Sequence, residues 1–185
     1  MCKYKLLFLD IDGTIMRPDN TIEQSTKIAV FQAQQKGIEV VLATGRPLHE
    51  IANIAEELHV KSFIGYNGAY CIYNQKDIFK EPMNRKSVRY FVDTAIIKRH
   101  ELVLYTSEKN ILTTLDSEPM KQFVAEFQLN KNEIITPSVI DNILAMTIIT
   151  DSEIGDSHYK IDDSIHLSQV QGMNHCFDGN QRQCK

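Results

Sequence analysis

The first eighty residues alternate between short apolar runs and segments with helical periodicity. The runs LLFL, VVL and FIG are typical of strands, and the residues Ile51, Ile54, Ala55 and Leu58 repeat with the spacing of an amphipathic helix. A strand–helix–strand–helix–strand order with continuously apolar strands predicts an open parallel α/β sheet. We therefore expect the first strand, Leu6 to Leu9, to be buried on both faces.

The first helix lies in the segment DNTIEQSTKIAVFQAQQKG. Thr21 and Gln24 have the spacing of a capping box, in which two side chains satisfy the free N–H groups at a helix start. Gly37 stands where a helix would end, because glycine readily adopts the left-handed conformation that closes many helices. The pattern predicts a helix of about four turns.

Polar residues follow each of the three strands in this first region. Because the carboxyl ends of parallel strands lie at one edge of a sheet, and ligands bind in α/β proteins outside that edge, these residues are expected to converge on one site. They are Asp10 and Asp12 after the first strand, Thr44, Gly45 and Arg46 after the second, and Asn67 and Gly68 after the third.

The two acids after the first strand pose an electrostatic question. Asp10 and Asp12 are separated by one residue, so extended backbone points both side chains the same way, and Gly13 allows the chain to turn afterwards. Two carboxylates so close repel each other unless a positive charge lies between them. The pair therefore predicts a metal ion.

Each polar cluster also has a purely structural interpretation. An isolated D-x-D can be a solvated turn, or the metal and nucleotide clamp of a glycosyltransferase, but only nine residues precede Asp10 and they cannot form a nucleotide-binding sheet. Thr44 with Gly45 could cap the next helix, and Asn67 with Gly68 could be turn residues before a hairpin. A phosphoacceptor receiver domain would carry its nucleophilic aspartate after a later strand. The joint occurrence of the three clusters favours a site.

Composition narrows the class of ligand. The chain of 185 residues is 43% hydrophobic and 24% charged, as in ordinary globular proteins, and its net charge of −4 offers no basic surface for nucleic acid or anionic membrane. No segment is long enough for a secretory signal or a membrane span, so a cytoplasmic protein is expected. The cysteines, which lack zinc-site spacing, are interpreted as reduced thiols: Cys2, Cys71, Cys176 and Cys184.

Three motifs in order, FLDIDGT, VVLATGRP and YNGA, resemble those of the haloacid dehalogenase-like phosphohydrolases, specifically the Cof-type sugar-phosphatase branch. The resemblance covers roughly the first 165 residues. It implies a Rossmann-like parallel core with a mixed α/β cap, a Mg²⁺ cofactor, and a small phosphorylated metabolite such as a sugar phosphate as substrate.

The resemblance also implies roles for individual residues. Asp10 matches the nucleophile that accepts the phosphoryl group and binds Mg²⁺. Asp12 matches the acid that protonates the leaving alkoxide and then activates water, a kind of help that typically gives about 10²–10⁴-fold in rate, and its backbone carbonyl is the second metal ligand.

The remaining implied contacts are with the substrate. Thr44 matches the hydroxyl residue that binds the transferred phosphoryl group, with the backbone around Gly45 close by. Arg46 and Asn67 are the further residues expected to contact phosphate or substrate.

The pattern changes after Glu81-Pro82, so we place the core in residues 1–82 and a second α/β domain, built around a smaller sheet, in 83–185, with an irregular tail from about residue 170. Apolar residues at helical spacing follow, then the strand-like segments ELVLYT, NILTTL and ILAMTIIT, with a further helix beginning near Pro119. The resemblance implies that this domain is the cap, which selects the substrate.

The resemblance ends with the cap. Family members continue into the core and supply a lysine and an acidic GD motif. The sole GD here, Gly155-Asp156, lies in an acidic stretch of turn composition and is better interpreted as a solvated loop than as the metal motif.

We therefore expect a chain truncated at its C-terminal end, with an unpaired core edge that favours a dimer or a completing chain. Weak or no activity alone is also expected, and the alternative is a non-catalytic phosphate-binding or interaction remnant of such an enzyme.

Overall fold

The computed structural model describes residues 4–136, 140–150, 159, 165–170, 173 and 175–181. The chain divides into two units, Met1–Lys80 and Glu81–Lys185. No helix in the described ranges is long and apolar enough to cross a membrane.

The first unit contains a five-stranded sheet in the order β1-β2-β3-β4-β5. The first three strands pair in parallel, which confirms the expected α/β arrangement, and the last two add an antiparallel hairpin. The elements are β1 (Leu6–Leu9), α1 (Gln24–Gln35), β2 (Glu39–Ala43), α2 (Ala52–Glu57), β3 (Phe63–Gly65), β4 (Tyr70–Tyr73) and β5 (Lys76–Lys80).

Both helices of the first unit contribute to one hydrophobic core. Val40 and Leu42 of β2 pack there together with the helical residues Val30 and Ile54. All four residues at helical spacing in the second helical segment are buried: Ile51, Ile54, Ala55 and Leu58. The apolar periodicity therefore identifies the buried face of this segment correctly.

The expectation that β1 is buried on both faces is wrong. Leu6 and Phe8 keep 51% and 55% of their surface exposed, whereas Leu7 and Leu9 pack against the core. Side chains alternate between the two faces of a strand, so the exposed Leu6 and Phe8 share one face while Leu7 and Leu9 share the other. An apolar run is fully covered only where elements lie against both faces of the sheet.

The predicted capping box is also wrong. Thr21 turns back to Asp19, whose carboxylate accepts bonds from the Thr21 N–H at 3.1 Å and from its hydroxyl at 2.6 Å. The helix α1 has Glu23 at its N-cap, without a side-chain capping bond. A local Asx turn has taken the threonine that a capping box would use. Gly37 follows the helix with a φ of +75°, as expected of a helix-ending glycine.

The second unit contains a six-stranded sheet in the order β10-β11-β9-β6-β7-β8. Pairing is antiparallel except between β7 and β8, so this sheet differs in kind from the first. With six strands against five it is also the larger of the two, so the expectation of a smaller second sheet is wrong. Its elements are α3 (Arg85–Lys98), β6 (Glu101–Tyr105), β7 (Asn110–Leu112), α4 (Glu118–Glu126), β8 (Asn132–Ile134), β9 (Ala145–Ile149), β10 (Ile165–Gln169) and β11 (Cys176–Gln181).

Both helices of the second unit have side-chain caps. Asn84 accepts a bond from the Lys86 N–H at the start of α3, and Ser117 accepts one from Met120 at the start of α4, where Pro119 lies in the first turn. The apolar face of α3 packs on the sheet through residues that are almost fully buried: Val88, Phe91, Val92 and Ala95.

The C-terminal part differs from the irregular tail that the sequence predicts. Residues Cys176–Gln181 form β11, which pairs with β10 on one side and with β9 on the other. Strand pairing with two neighbours orders a segment that has no apolar periodicity of its own. The acidic stretch with Gly155 and Asp156 lies outside the described residues.

Candidate active site

The polar clusters follow three parallel strands in the first unit. Asp10 comes directly after β1, Thr44 directly after β2, and a short 3₁₀ turn, Tyr66–Gly68, directly after β3. Because these strands pair in parallel in the order β1-β2-β3, their carboxyl ends lie at one edge of the sheet. Hydrogen bonds between the clusters link them further.

The two acids are presented by a tight turn. Ile11, between them, is fully buried, whereas both aspartates are exposed. The Ile11 carbonyl accepts bonds from the N–H groups of the three residues Thr14, Ile15 and Met16 at 3.0–3.3 Å. Gly13 has a φ of +74° in this turn, a conformation that other residues adopt only with strain. The buried isoleucine thus anchors the segment that carries the carboxylates.

Thr14 also contributes to the site, although the sequence analysis did not assign it a role. Its hydroxyl donates to the Asp10 carboxylate at 3.3 Å between Oγ1 and Oδ2. A hydrogen bond to one oxygen restricts rotation of the carboxylate. The signal was present in the sequence, because Thr14 is the last residue of the motif FLDIDGT.

Thr44 is buried, with 6% of its surface exposed, in the connection after β2. Its N–H donates to the Ile64 carbonyl of β3 at 2.9 Å, and its Oγ1 accepts the N–H of Arg46 at 3.1 Å. A hydroxyl can accept and donate at the same time, so its own proton remains suitable for an anionic oxygen.

Gly45 and Asn67 lie against each other. A Cβ atom added to Gly45 would be 2.8 Å from Oδ1 of Asn67, which is closer than a real Cβ contact. The Asn67 N–H reaches the Thr44 carbonyl at 3.4 Å, and its backbone is left-handed with a φ of 53°. Because glycine has no Cβ atom, the amide of Asn67 can occupy this position.

Arg46 contacts Asp12 across thirty-four positions of sequence. Its Nε lies 2.9 Å from Oδ2 and 3.2 Å from Oδ1, and its Nη2 lies 2.6 Å from Oδ1. The guanidinium therefore forks onto both carboxylate oxygens, the strong geometry of an arginine–carboxylate pair. The sequence predicted both residues for the site but not this contact.

The 3₁₀ turn after β3 rests on a buried tyrosine. Tyr66 is 1% exposed, and its hydroxyl oxygen lies 3.4 Å from Nδ1 of His49. Burial raises the pKa of the Tyr66 hydroxyl far above its usual range, and the negative charge of Glu50 acts in the same direction. The neutral ring thus supports the backbone that carries Asn67.

The oxygen donors at this edge suit a hard cation. The described residues contain no group of three or more His, Cys, Asp or Glu side chains that could hold a metal ion. Arg46 occupies the Asp12 carboxylate, so of the two acids it is the exposed Asp10 carboxylate that is left for a cation. Mg²⁺ suits such a sparse set because it keeps several waters and binds phosphate oxygens as well.

Comparison with known proteins gives a consistent result. Residues 7–175 match the family model of the haloacid dehalogenase-like hydrolases. YkrA of Bacillus subtilis (strain 168), a phosphatase by name, is 35% identical over 115 residues, which are 62% of this chain and 44% of YkrA. M6_Spy0533 of Streptococcus pyogenes serotype M6, also a phosphatase by name, is 30% identical over 158 residues, which are 74% of this chain and 57% of that protein.

The fold has close counterparts among solved structures. One of them is described as the HAD subclass IIB sugar phosphatase BT4131. It superposes with a TM-score of 0.77 at 21% identity, over 96% of this chain and 70% of that one. At this identity the likeness concerns the fold, and its coverage of the chain includes both sheets.

Proposed function

Because the chain belongs to the haloacid dehalogenase-like hydrolases, we propose that it carries the nucleophile end of a phosphatase that hydrolyses the phosphate ester of a small metabolite, such as a sugar phosphate. The phosphatase names of the relatives and the sugar-phosphatase description of one structural counterpart support this choice of reaction. The chain spans 44% and 57% of the length of the two relatives, so the activity proposed is that of the whole protein.

Asp10 is proposed as the nucleophile. Its exposed carboxylate at the end of β1 can attack phosphorus, forming an O–P bond while the bond to the leaving alkoxide breaks. The product is an aspartyl phosphate at Asp10, which water hydrolyses to regenerate the carboxylate and release phosphate. The Thr14 hydroxyl lies 3.3 Å from one oxygen of this carboxylate, so it would favour one orientation of the group.

Asp12 is proposed as the acid–base residue. It would give a proton to the departing alkoxide and later accept one from the attacking water. Its position two residues after the nucleophile brings it to the same strand end, with Ile11 buried between the two acids.

The phosphoryl group is proposed to lie against the ends of β2 and β3. The Thr44 hydroxyl would donate to one of its oxygens, and the Asn67 amide and the backbone at Gly45 would contact the others. These groups are held by backbone bonds between the two strand ends, at 2.9 Å for Thr44 and 3.4 Å for Asn67. Such fixed donors stabilise charge without having to reorganise during the reaction.

The Asp10 carboxylate and the Asp12 carbonyl are proposed as the protein ligands of Mg²⁺. When bound, the cation would neutralise the charge of the phosphate oxygens and allow an anionic nucleophile to approach them. The second unit is proposed as the cap that selects the substrate, with the boundary near residue 82.

The observation that carries the proposal is the convergence of Asp10, Thr44 and Asn67 at the carboxyl ends of three parallel strands. The test is phosphate release from p-nitrophenyl phosphate with Mg²⁺, comparing the wild-type chain with Asp10→Asn. Asp19→Asn is the matched control, because Asp19 is an exposed aspartate of the same unit that lies outside the strand ends.

The expected result is phosphate release that is weak for this chain, which spans only part of its relatives' length, but that Asp10→Asn abolishes and Asp19→Asn retains. Equal release by the wild type and Asp10→Asn would contradict the proposal. If the wild type releases no phosphate but binds inorganic phosphate, the non-catalytic binding remnant becomes the better interpretation.

A further inference from the structure

Arg46 is tied at three points in the first unit. Its N–H donates to the Thr44 hydroxyl at 3.1 Å, and its carbonyl accepts the Tyr66 N–H at 3.3 Å. Its guanidinium meets both oxygens of the Asp12 carboxylate. The backbone of Arg46 is thus held from β2 and β3, and its side chain is held by the turn that follows β1.

This pair differs from an ordinary surface ion pair. Arg17 and Glu23 meet through a single contact of 2.7 Å, and both side chains are about half exposed, at 52% and 53%. Asp12 is about as exposed as Glu23, at 54%, but Arg46 is only 25% exposed and contacts both oxygens of its partner. A fork fixes both torsions of an aspartate side chain, which a single contact does not.

We propose that Arg46 is a positioning residue for Asp12 rather than a contact for the substrate. The inference rests on the proposed function, because it assigns Asp12 the proton transfer. An exposed aspartate would otherwise sample several rotamers, and misplacing a reacting group by about 1 Å can cost on the order of 10²-fold in rate.

The same contact answers part of the electrostatic question posed by the two acids. Asp10 and Asp12 repel each other, and the guanidinium supplies a positive charge to Asp12 directly. The Asp10 carboxylate is thereby left as the acid that faces the cation and the phosphorus. The different roles of the two aspartates thus depend on Arg46, which follows the neighbouring strand β2.

The first experiment measures kcat and KM in the full chain for a sugar phosphate, glucose 6-phosphate, because its alkoxide leaving group needs the proton that Asp12 would supply. Arg46→Lys keeps the charge but loses the fork, so kcat is expected to fall about 10- to 100-fold while KM stays within about threefold. In an Asp12→Asn background, Arg46→Lys is expected to lower kcat by less than about twofold, since no acid–base group remains to be positioned. Arg17→Gln is the matched control and should retain wild-type values.

A rise in KM of about tenfold or more with kcat unchanged, in both backgrounds, would overturn the proposal, because that is the behaviour of a substrate contact. A loss of kcat of the same size with and without Asp12 would also overturn it.

A second measurement does not depend on turnover. The Arg46 Nε–H signal in ¹⁵N NMR is expected to exchange slowly in the wild type, to broaden into solvent exchange in Asp12→Ala, and to stay unchanged when inorganic phosphate is added. A signal that follows phosphate in both chains, or that exchanges as fast as that of Arg17 in the wild type, contradicts the proposal. A chain that hydrolyses nothing but shows the Asp12-dependent signal counts against the proposed function while retaining the positioning of Asp12.

Discussion

Strands β1 and β9 are alike in sequence and unlike in surroundings. Both are unbroken or nearly unbroken apolar runs, LLFL and AMTII. Every residue of β9 is buried, and the strand pairs with β6 and β11 on its two sides. In β1 exposed residues alternate with half-buried ones, and within the described residues the strand pairs with β2. The burial of a strand's side chains thus depends on the elements that surround the strand, and a run of apolar residues does not specify those elements.

The two strands also differ in what depends on them. The core of the second unit includes Met146 and Ile148 of β9, whereas the end of β1 carries Asp10 and Asp12. We therefore expect substitutions in β9 to change mainly the free energy of unfolding and substitutions at the end of β1 to change mainly chemistry.

The largest expected effect on stability is at the centre of β9. Met146 is fully buried, so Met146→Ala removes its packing and leaves a cavity, at a cost of about 2–5 kcal/mol in unfolding free energy. Phe8→Ala in β1, which removes a side chain that is more than half exposed, is expected to cost about 1 kcal/mol or less. Urea denaturation followed by circular dichroism measures both. Equal losses of unfolding free energy in the two variants would contradict the difference inferred between the two strands.

A smaller effect is expected at the strand ends of the first unit. Gly45→Ala places a methyl group 2.8 Å from the present position of Asn67 Oδ1, so the amide must move, at a cost of about 1–3 kcal/mol in unfolding free energy. Asn67→Gly keeps the left-handed backbone and removes the amide.

The double variant Gly45→Ala/Asn67→Gly is therefore expected to be less destabilised than the sum of the two single variants, as measured by the same denaturation. Additive losses would show that the two residues do not compete for space.

The smallest expected effect concerns a carboxyl group beside β9. Burial raises the pKa of Asp178, although the Thr147 hydroxyl donates to it at 2.6 Å. A raised pKa in the folded state means that wild-type stability falls as pH rises through that value. Asp178→Asn does not ionise, so its stability relative to the wild type should be greater at pH 8 than at pH 3.5, which lies below the usual pKa of a carboxyl group. A relative stability that falls with rising pH would contradict this assignment.

The sequence predicts the order of elements well because that information is local. The spacing of Ile51, Ile54 and Leu58 identifies a buried helical face, and Asn67 with Gly68 correctly precedes a hairpin. The convergence of strand ends follows from topology, which the alternation of strands and helices already implies.

The features that the sequence could not predict depend on contacts between residues that are far apart along the chain. The exposure of Phe8 is set by how little of the described chain covers its face of β1, and the order of β11 comes from pairing with two other strands. The fork between Arg46 and Asp12 joins residues thirty-four positions apart. Even a local expectation failed where Asp19 competed for Thr21, because two short-range motifs can use the same side chain.

The central claim is that the carboxylate at the end of β1 takes up a phosphoryl group. The most direct measurement is rapid acid quenching of the full chain after mixing with Mg²⁺ and p-nitrophenyl phosphate, followed by mass spectrometry of the peptide that contains Asp10 and Asp12. The account predicts an added mass of one phosphoryl group on Asp10 that is lost on brief exposure to hydroxylamine, as an acyl phosphate would be. Phosphate release without any such adduct, or an adduct on Asp12 in place of Asp10, would contradict it.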